Sequence, residues 1–522
     1  MTKINSLLKY SAKTFFCLEI LLFLYILLAS YNFTADAYAY ANSSVQGKNL
    51  FYPHHLLYSA YGYLLMKVFG SLVSDPLILF ELSNIFFGIL SLFVSGYILW
   101  KANCSTGFIN SGIIFLGSCF AFIRFAMDNE CYMMPLFFTL CALACMQSFF
   151  LENKLWKVVL ATLFLSLGCL FHQLVIVTWL CVFIILVLMK NKKYFLSFLS
   201  LSLSVPLVYS SVYFFSLEGT DLAGFFHFIT NDYSEGYAQG PNLKTILLLS
   251  PISFFRTFFQ VHGYMLNILD YQAEHITIWK SVLYLFVFSC FVFILLTGFY
   301  EIKRVRKKEY IADKEKKFIH LLWAVGVANL LFACISNGNS EFMLILPFII
   351  IFLLHYYFKN LYCITCFGIV MFIWNCVFVM VPHHDETFSS DAETVDFIRH
   401  NIANYVLSDK PKIENMYVYR YKEEPQNVFY SARLTKEVLD SLLNDKKIVI
   451  TDCLSTENLS RQKLTGGNKL RSLLKEGTMV TEIRTFYSLS QGKTSLTIMD
   501  CSDGAEDCSL TEEDKLDGEE ER

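Results

Sequence analysis

Apolar runs long enough to cross a membrane fill residues 14–381, and they constrain this chain more than any other feature. A helix needs about 20 apolar residues to cross a hydrocarbon core of roughly 30 Å. By that criterion we predict eleven membrane-spanning helices. They lie near 14–33, 77–100, 107–125, 132–151, 156–171, 174–190, 194–215, 278–300, 318–336, 342–358 and 360–381. The predicted fold class is an all-α membrane domain, 1–382, which excludes a water-soluble enzyme.

Two segments fit this pattern poorly. The stretch 244–268 is apolar but contains Pro251, Arg256 and His262, so we interpret it as re-entrant or interfacial rather than as a twelfth span. The span at 156–171 is short, and we expect it to be broken or tilted near His172.

The basic residues predict the orientation in the membrane. With the N-terminus in the cytoplasm, eighteen Lys and Arg residues fall on the inner side and only six on the outer side before residue 383. The six outer residues are Lys48, Lys67, Arg124, Lys244, Arg256 and Lys280. Cytoplasmic loops are enriched in Lys and Arg, so we predict a cytoplasmic N-terminus with outer loops at 34–76 and 216–277.

The first apolar run also resembles a secretory signal, because small residues follow it at Ala35, Ala37 and Ala39. Its length from Phe15 to Ser30 favours a retained anchor.

After Pro382 the composition changes to that of a soluble domain. We predict a small α/β domain over 383–505 on the outer side, with helices at 391–404 and 435–443 and strands at 416–420 and 448–452. Residues 506–522 form an acidic tail that we expect to be disordered. The whole chain has a net charge of −3, which excludes a nucleic-acid partner.

Ionisable residues are costly in a membrane and therefore mark candidate functional sites. Here they gather at the outer ends of the predicted spans, in four groups. These are Asp36 in FTADAYAYA, then His54, His55 and Tyr58 in FYPHHLLYSAYGYLL, then Arg124, Asp128 and Glu130 in IRFAMDNECYMM, and finally His172 with Gln173.

Each group also has a structural interpretation. Asp36 could cap a helix. Arg124 could anchor a span end while paired with Asp128, and the histidines could be interfacial or buried in the core. Histidines beside a carboxylate make a divalent metal possible, but no spacing supports a metal site specifically.

Taken together, the groups favour sugar transfer from a lipid phosphate. A carboxylate can deprotonate an acceptor hydroxyl as a general base. The departing phosphate gains negative charge, which Arg124, Lys244 and Arg256 could stabilise.

The order of these motifs resembles the GT-C-type membrane glycosyltransferases, which include the protein O-mannosyltransferases and the aminoarabinose transferase. That family has a first outer loop with an essential Asp, here Asp36, and a second with an acidic residue, here in MDNECYMMPL from Met127. The segment LGCLFHQ, ending at Gln173, stands where the family often has Thr-Lys. In NSEFMLILP, Glu341 and Phe342 stand where the family often has Arg-Tyr.

The resemblance implies that Asp36 is the catalytic base and that Asp128 or Glu130 positions a substrate. It implies a polyprenyl-phosphate-linked sugar as donor, a protein, lipid or glycan as acceptor, and inversion at the anomeric carbon. We expect the membrane to be a bacterial inner membrane rather than the endoplasmic reticulum. Metal dependence stays open. The candidate contacts to substrate or lipid phosphate are His54, His55, Tyr58, Arg124, His172, Gln173, Lys244, Arg256 and Glu341.

Two other functions fit the same outer surface. A transporter or flippase of lipid-linked sugars would bind without reacting, but such proteins tend to show internal repeats, and none is visible between the two halves. A polysaccharide polymerase or ligase would favour a late loop rich in Arg and His, whereas 216–277 holds only Arg256, His227, His262 and His275.

Overall fold

The structure is a computed structural model. It describes residues 16–230, 241–261, 264, 265, 268, 277–308, 310–359, 361–400, 405–408, 411–423, 428–430, 449–451, 479–490 and 492–500. Its contacts divide the chain into two units, Met1–Phe388 and Ser389–Arg522. The boundary therefore lies six residues beyond the predicted one, which followed Pro382.

The first unit is built mainly from apolar helices. Its helices are α1 (Phe16–Leu27), α2 (Ala35–Gln46), α3 (Tyr58–Phe69), α4 (Pro76–Lys101), α5 (Thr106–Ser118), α6 (Phe120–Ala126), α7 (Met133–Glu152), α8 (Leu155–Phe171), α9 (Ile176–Leu188), α10 (Lys192–Ser202), α11 (Ser204–Ser211), α12 (Leu222–Ile229), α13 (Leu243–Phe258), α14 (Ile278–Ile302), α15 (Asp313–Ile335), α16 (Leu346–Tyr357), α17 (Cys363–Asn375) and α18 (Val381–His384). Short 3-10 turns at Pro53–His55, Gln173–Val175 and Ser340–Met343 interrupt them, and β1 (Arg306–Lys307) pairs with β2 (Phe358–Lys359).

Each of the eleven predicted regions contains a helix. Among the described residues, seven helical stretches are long and apolar enough to cross a membrane, and α5 with α6 makes an eighth if the bent pair is one span. The seven are α4, α7, Lys192–Ser216 with α10 and α11, Lys280–Ile302 within α14, α15, Ser340–Tyr357 with α16, and Cys363–His384 with α17 and α18. The helices α1, α8 and the Gln173–Leu188 segment are apolar but shorter. An integral membrane protein follows from these helices, while the full count of eleven spans stays a prediction.

The third predicted span is not straight. Helices α5 and α6 meet at a 68° bend at Cys119. A bend removes helical hydrogen bonds, and a membrane offers no water to replace them. Here the Ser118 carbonyl accepts from Asn375 Nδ2 at 2.8 Å, and the Gly117 carbonyl accepts from the Tyr25 hydroxyl at 2.5 Å. Side chains from α1 and α17 therefore satisfy the groups that the bend exposes.

The core lies between α4, α7, α8 and α15, with α7 packing against the other three. At one end of this bundle Glu152 forms ion pairs with Lys101 at 3.3 Å, Lys154 at 3.3 Å and Lys157 at 2.5 Å. These contacts join the ends of α4, α7 and α8.

Helix α13 occupies the segment interpreted as re-entrant or interfacial. It has 16 residues with Pro251 inside it, and it is not among the helices long enough to span a membrane. It packs against α6 and the Ser340–Met343 turn. Helix α8 ends at Phe171, and His172 is extended (φ −158°), so the chain breaks where the sequence placed a break.

The end of the first unit contacts its beginning. The His383 carbonyl accepts hydrogen bonds from Tyr31 N at 2.9 Å and from Asn32 Nδ2 at 3.1 Å. Asn32 Nδ2 also donates to the Asp385 carbonyl at 2.7 Å. Residues 383–388 therefore belong with the first unit rather than with the domain that follows.

The second unit contains helices and one sheet. Its helices are α19 (Asp391–His400) and α20 (Pro411–Tyr421), and its strands are β3 (Tyr405–Ser408), β4 (Val428–Tyr430), β5 (Val449–Thr451), β6 (Met479–Ser488) and β7 (Gly492–Asp500). The strand order is β4-β3-β5-β7-β6, with β3 parallel to β4 and β5 and the other pairs antiparallel. The segments 401–404, 435–443 and 506–522, for which predictions were made, lie outside the described residues.

The strand predicted at 416–420 is wrong, because these residues lie inside α20. That helix starts with Pro411, whose fixed φ suits a first helical position. Ile413, Met416 and Tyr417 are buried, with the spacing of one helical face. The alternation of large side chains in MYVYR is typical of a strand, but these residues form a helix and bury one of its faces.

Candidate functional site

The first outer loop places Asp36 in the first turn of α2, and this residue is exposed. Thr34, rather than Asp36, caps the helix, because its Oγ1 accepts from Ala37 N at 3.2 Å. The same hydroxyl donates to Glu130 Oε1 at 2.6 Å. A carboxylate in the first turn is stabilised by the helix dipole. The structure therefore brings Asp36 next to the acidic loop between α6 and α7.

Asn84, which lies within the second predicted span, forms hydrogen bonds to the backbone of that acidic loop. Its Nδ2 donates to the carbonyl of Asp128 at 2.7 Å and to that of Glu130 at 2.8 Å. Asn84, Asp128 and Asn129 are all fully buried. Because buried carbonyls need hydrogen-bond partners, this one amide fixes the path of the loop.

Tyr58 and Asn129 connect the loop to α2 and α3. The Tyr58 hydroxyl donates to Asn129 Oδ1 at 2.9 Å, and Asn129 Nδ2 donates to the Ala37 carbonyl at 2.8 Å. Tyr58 is itself fully buried. Through Asn129, Tyr58 is therefore linked to the first turn of α2, which carries Asp36.

The two arginines lie on the other side of the loop. Arg124 forms an ion pair with Asp128, whose Oδ1 also accepts from Asn129 N at 2.8 Å. Arg124 keeps 20% of its side chain exposed and lines a small pocket with His383. The Arg256 guanidinium lies 5.2 Å from the centre of the Phe120 ring. Helix α6 thus carries one arginine and supports the other.

Glu130 differs electrostatically from an ordinary carboxyl. Burial raises the pKa of Glu130 well above its usual value, and the nearby carboxyls of Asp128, Asp36 and Glu341 raise it further. The hydrogen bond from Thr34 opposes this shift. Glu130 therefore holds a proton more readily than an exposed glutamate, which lowers the negative charge beside Asp36.

The first outer loop docks onto the turn after α8. His54 Nδ1 lies 3.2 Å from Gln173 Oε1, and Gln173 Nε2 donates to the Pro53 carbonyl at 2.9 Å. His55 Nε2 lies 2.8 Å from the Tyr40 hydroxyl, and its ring stacks on His172 at 6.3 Å. Two of the predicted groups thereby form one cluster.

The cluster continues to Glu341. The His172 ring centre lies 5.0 Å from that of Tyr132, and the Tyr132 hydroxyl donates to Glu341 Oε2 at 2.6 Å. Tyr40 stands one helical turn after Asp36 on the same face of α2. A continuous set of side chains therefore leads from the first outer loop to the segment before α16.

Two histidines of the cluster, His55 and His172, are held neutral. Burial lowers the pKa of His55 to about 3, with further lowering by His172 and His54. Burial also lowers the pKa of His172 to about 3, with a further contribution from His54. At neutral pH these rings are hydrogen-bonding groups without charge.

The protein should therefore lose stability in acid. Folded His55 titrates near pH 3 but near 6.5 when unfolded, so the unfolded chain binds more protons between these values. The stabilisation is complete above pH 6.5 and is lost as the pH falls toward 3. We expect thermal unfolding measured from pH 7 to 4 to show a shallower loss in His55→Gln than in the wild type.

The exposed His227→Gln is the matched control and should keep the wild-type pH dependence. The difference between the two variants isolates His55 from the acidic groups, whose titration is common to both. Identical slopes in His55→Gln and wild type would contradict the assignment.

A pocket opens beside the cluster, between α7, α9, α15 and the Ser340–Met343 turn. Its polar or aromatic lining residues are Tyr132, Thr139, His172, Thr178, Asn329, Glu341 and Phe342, and aliphatic side chains complete the wall. A mainly apolar lining with a small number of polar groups is typical of small-ligand sites.

The structure thus gathers most of the predicted site residues, but not all of them. Asp36 lies close enough to Glu130 to raise its pKa, and Arg124 forms an ion pair with Asp128. His54 is hydrogen-bonded to Gln173, and the rings of His55 and His172 stack. Lys244 is exposed at the start of α13, and no hydrogen bond or ion pair among the described residues joins its side chain to the others.

Sequence reasoning missed Asn84, Thr34 and Tyr132. A lone Asn within an apolar span is itself a signal, since polar groups there need partners. Thr two residues before Asp36 is a capping pattern. Tyr132 gives no such signal, because many tyrosines stand at predicted membrane interfaces in this chain.

Metal binding finds no support within the part of the chain that the structure describes. There, no group of three or more His, Cys, Asp or Glu side chains is arranged to hold an ion. Metal dependence therefore stays open.

No protein-family model and no curated protein sequence matches this chain. Its structure is similar to that of ArnT from Cupriavidus metallidurans in the apo state, with a TM-score of 0.42 and 11% identity over 95% of this chain and 98% of that one. It is also similar to the Archaeoglobus fulgidus oligosaccharyltransferase in complex with zinc and sulfate, with a TM-score of 0.44 and 10% identity over 92% and 72% of the two chains.

A third similar structure is the archaeal oligosaccharyltransferase AglB from Archaeoglobus fulgidus, in complex with an inhibitory peptide and a dolichol-phosphate. The TM-score is 0.43 and the identity 10%, over 96% of this chain and 75% of that one. Because all three TM-scores lie below 0.5, these similarities assign no function. The functional proposal depends on the residues described above.

Proposed function

We propose that this chain is a membrane glycosyltransferase that moves a sugar from a polyprenyl-phosphate-linked donor to an acceptor hydroxyl, with Asp36 as the general base. The observation that carries the proposal is the placement of Asp36. It is exposed in the first turn of α2, while Thr34 and Asn129 fasten that turn to a buried acidic loop. A base on a rigid support is what proton abstraction from a bound hydroxyl requires.

In the proposed step, the acceptor oxygen attacks the anomeric carbon and its proton passes to the Asp36 carboxylate. The bond from the anomeric carbon to the phosphate oxygen breaks, and its electron pair leaves with the polyprenyl phosphate. Attack opposite to the leaving group inverts the anomeric configuration. The step therefore balances with the donor, the acceptor and Asp36 alone and needs no further reactant.

The charges near Asp36 suit this step. Arg124 pairs with Asp128 of the acidic loop and Arg256 lies against Phe120 at the start of α6, and a cation in this region would stabilise the charge that develops on the phosphate. Arg124 is already paired with Asp128, so part of its charge is neutralised. Glu130, which retains a proton readily, reduces the repulsion between the acidic loop and the lipid phosphate.

The site lies on the outer side of a membrane in this proposal. We propose a bacterial inner membrane, with the N-terminus in the cytoplasm and the loops that carry Asp36 and Glu130 outside, an orientation that the positive-inside count supports. The domain after Phe388 would then lie on the same outer side, as would be needed for contact with a protein, lipid or glycan acceptor.

The proposal is tested by reconstituting the purified protein in proteoliposomes and adding a radiolabelled polyprenyl-phosphate sugar. Native membranes lacking this protein supply the acceptor. We expect label to leave the donor and to enter a new product that carries a single added sugar. Movement of intact donor across the sealed bilayer without a product would indicate a flippase. Products of increasing length would indicate a polymerase, and block transfer of a preformed glycan would indicate a ligase.

A further inference from the structure

In the pocket beside Tyr132 and His172, the hydrogen-bonding directions of His172 and Glu341 can be read from the structure. His172 Nδ1 accepts a hydrogen bond from Leu174 N at 3.0 Å. A neutral imidazole that accepts at Nδ1 carries its proton on Nε2. Among the described residues none accepts from Nε2 of His172, and the residue lines the pocket. His172 therefore presents an uncharged N–H donor to the pocket.

Glu341 presents an acceptor in the same pocket. Its Oε2 accepts from the Tyr132 hydroxyl at 2.6 Å and from Asn339 Nδ2 at 3.2 Å. Two donors on one oxygen leave the second oxygen for another partner, and within the described part of the chain no hydrogen bond to Oε1 is found. The Tyr132 contact also fixes the direction in which the carboxylate points.

The charge of the pocket is as informative as its hydrogen bonds. No Lys or Arg is found among the described residues that line it, so Glu341 is not neutralised by a cation there. An anion entering this pocket would meet a carboxylate without a counter-ion, which is costly away from water. A hydroxyl-bearing group would instead donate to Glu341 and accept from His172.

A chain of contacts links the pocket to the helix that carries the proposed base. Tyr40 follows Asp36 by one turn of α2, His55 lies against Tyr40, and His172 stacks on His55. The lining also includes Phe342, whose ring centre lies 6.4 Å from that of His172, and aliphatic side chains, which suit the apolar face of a pyranose ring.

We propose that this pocket binds the sugar of the donor and selects an uncharged sugar over an acidic one, with Glu341 as the discriminating group and Tyr132 as its positioning residue. The inference rests on the proposed function, because it assumes that a lipid-linked sugar is the substrate. It goes further in naming the sugar class: a neutral polyhydroxyl ring rather than a uronic acid or a phosphorylated sugar.

Equilibrium binding tests this inference without requiring turnover. Two donors of the same polyprenyl length, one carrying a hexose and one the corresponding hexuronic acid, compete with a fluorescent lipid-linked analogue for the detergent-solubilised protein. We expect the wild type to bind the hexose donor at least about tenfold more tightly, which corresponds to about 1.4 kcal/mol. Glu341→Gln, which can still accept from Tyr132, should reduce this ratio to about threefold or less.

Glu218→Gln removes a carboxylate that lies in the long outer loop and should keep the wild-type ratio. Tyr132→Phe, which frees Glu341 without removing its charge, should weaken hexose binding while acidic donors stay disfavoured. Equal affinity of the wild type for both donors, or an unchanged ratio in Glu341→Gln, would overturn the inference and leave the glycosyltransferase proposal intact. Failure of the wild type to bind either donor would overturn both.

Discussion

Asp36→Asn is expected to lower the rate of sugar transfer by about 10²–10⁴-fold, the usual contribution of a positioned general base. The amide has the shape of the carboxylate but cannot take the proton of the acceptor. Thr34 caps α2 without help from Asp36, so the helix should remain in place. Single-turnover transfer from a labelled donor measures the effect on the chemical step, and donor affinity measured in parallel should change by less than about threefold.

The matched control is Asp221→Asn, which makes the same change in another outer-loop helix. Asp221 caps α12 by accepting from Gly224 N at 2.7 Å, and an asparagine can do the same. Its transfer rate should equal that of the wild type. If Asp36→Asn keeps wild-type transfer, the base is not Asp36 and the proposed mechanism fails.

Asn84→Leu is expected to destabilise the protein by about 1–3 kcal/mol, because the substitution leaves the buried carbonyl of Asp128 without its amide donor. The carbonyl of Asp128 loses its amide partner, while that of Glu130 keeps a bond from Tyr58 at 3.1 Å. The acidic loop should then shift relative to α2. A displacement of about 1 Å at a reacting group lowers rates by roughly 10²-fold, so we expect transfer to fall by a similar factor.

Thermal unfolding and transfer, both measured in the same detergent, test this expectation. Ser95→Ala is the control in the same helix, since Ser95 is fully buried but donates only to the Ser91 carbonyl of its own helix, at 2.7 Å. It should lose less than about 1 kcal/mol and retain transfer. An Asn84→Leu protein that melts with the wild type would show that the loop does not depend on this amide.

The helical regions of the first unit could be predicted because membrane-spanning helices satisfy their own backbone and show this in their composition. The bend between α5 and α6 could not. It depends on Tyr25 and Asn375, which are 92 and 257 residues away from the carbonyls that they satisfy. The strand wrongly predicted at 416–420 has a different cause. Its five residues fit both the period of a strand and that of a helix, and only the burial of one helical face decides between them.

The predicted site shows a similar division. A lone Asp after the first span and an acidic pair in a very short outer loop are visible in the sequence, because ionisable groups at span ends are costly. That Asp36 and the acidic pair lie side by side depends on Thr34 and Asn84, whose partners lie 96 and about 45 residues away in the sequence. The sequence also cannot show that Tyr58 is fully buried rather than exposed to substrate.

The contact between residues 31–32 and 383–385 has a consequence for biosynthesis. Asn32, four residues before Asp36, is held by carbonyls that are made 351 and 353 residues later. Chains are synthesised from the N-terminus at about 5–20 residues per second, so Asp36 leaves the ribosome well before the carbonyls that hold Asn32 have been made. The first outer loop can take its final position only after the last helix of the first unit has been inserted. A chain released before residue 385 would carry every acidic residue of the proposed site without the segment that anchors the loop.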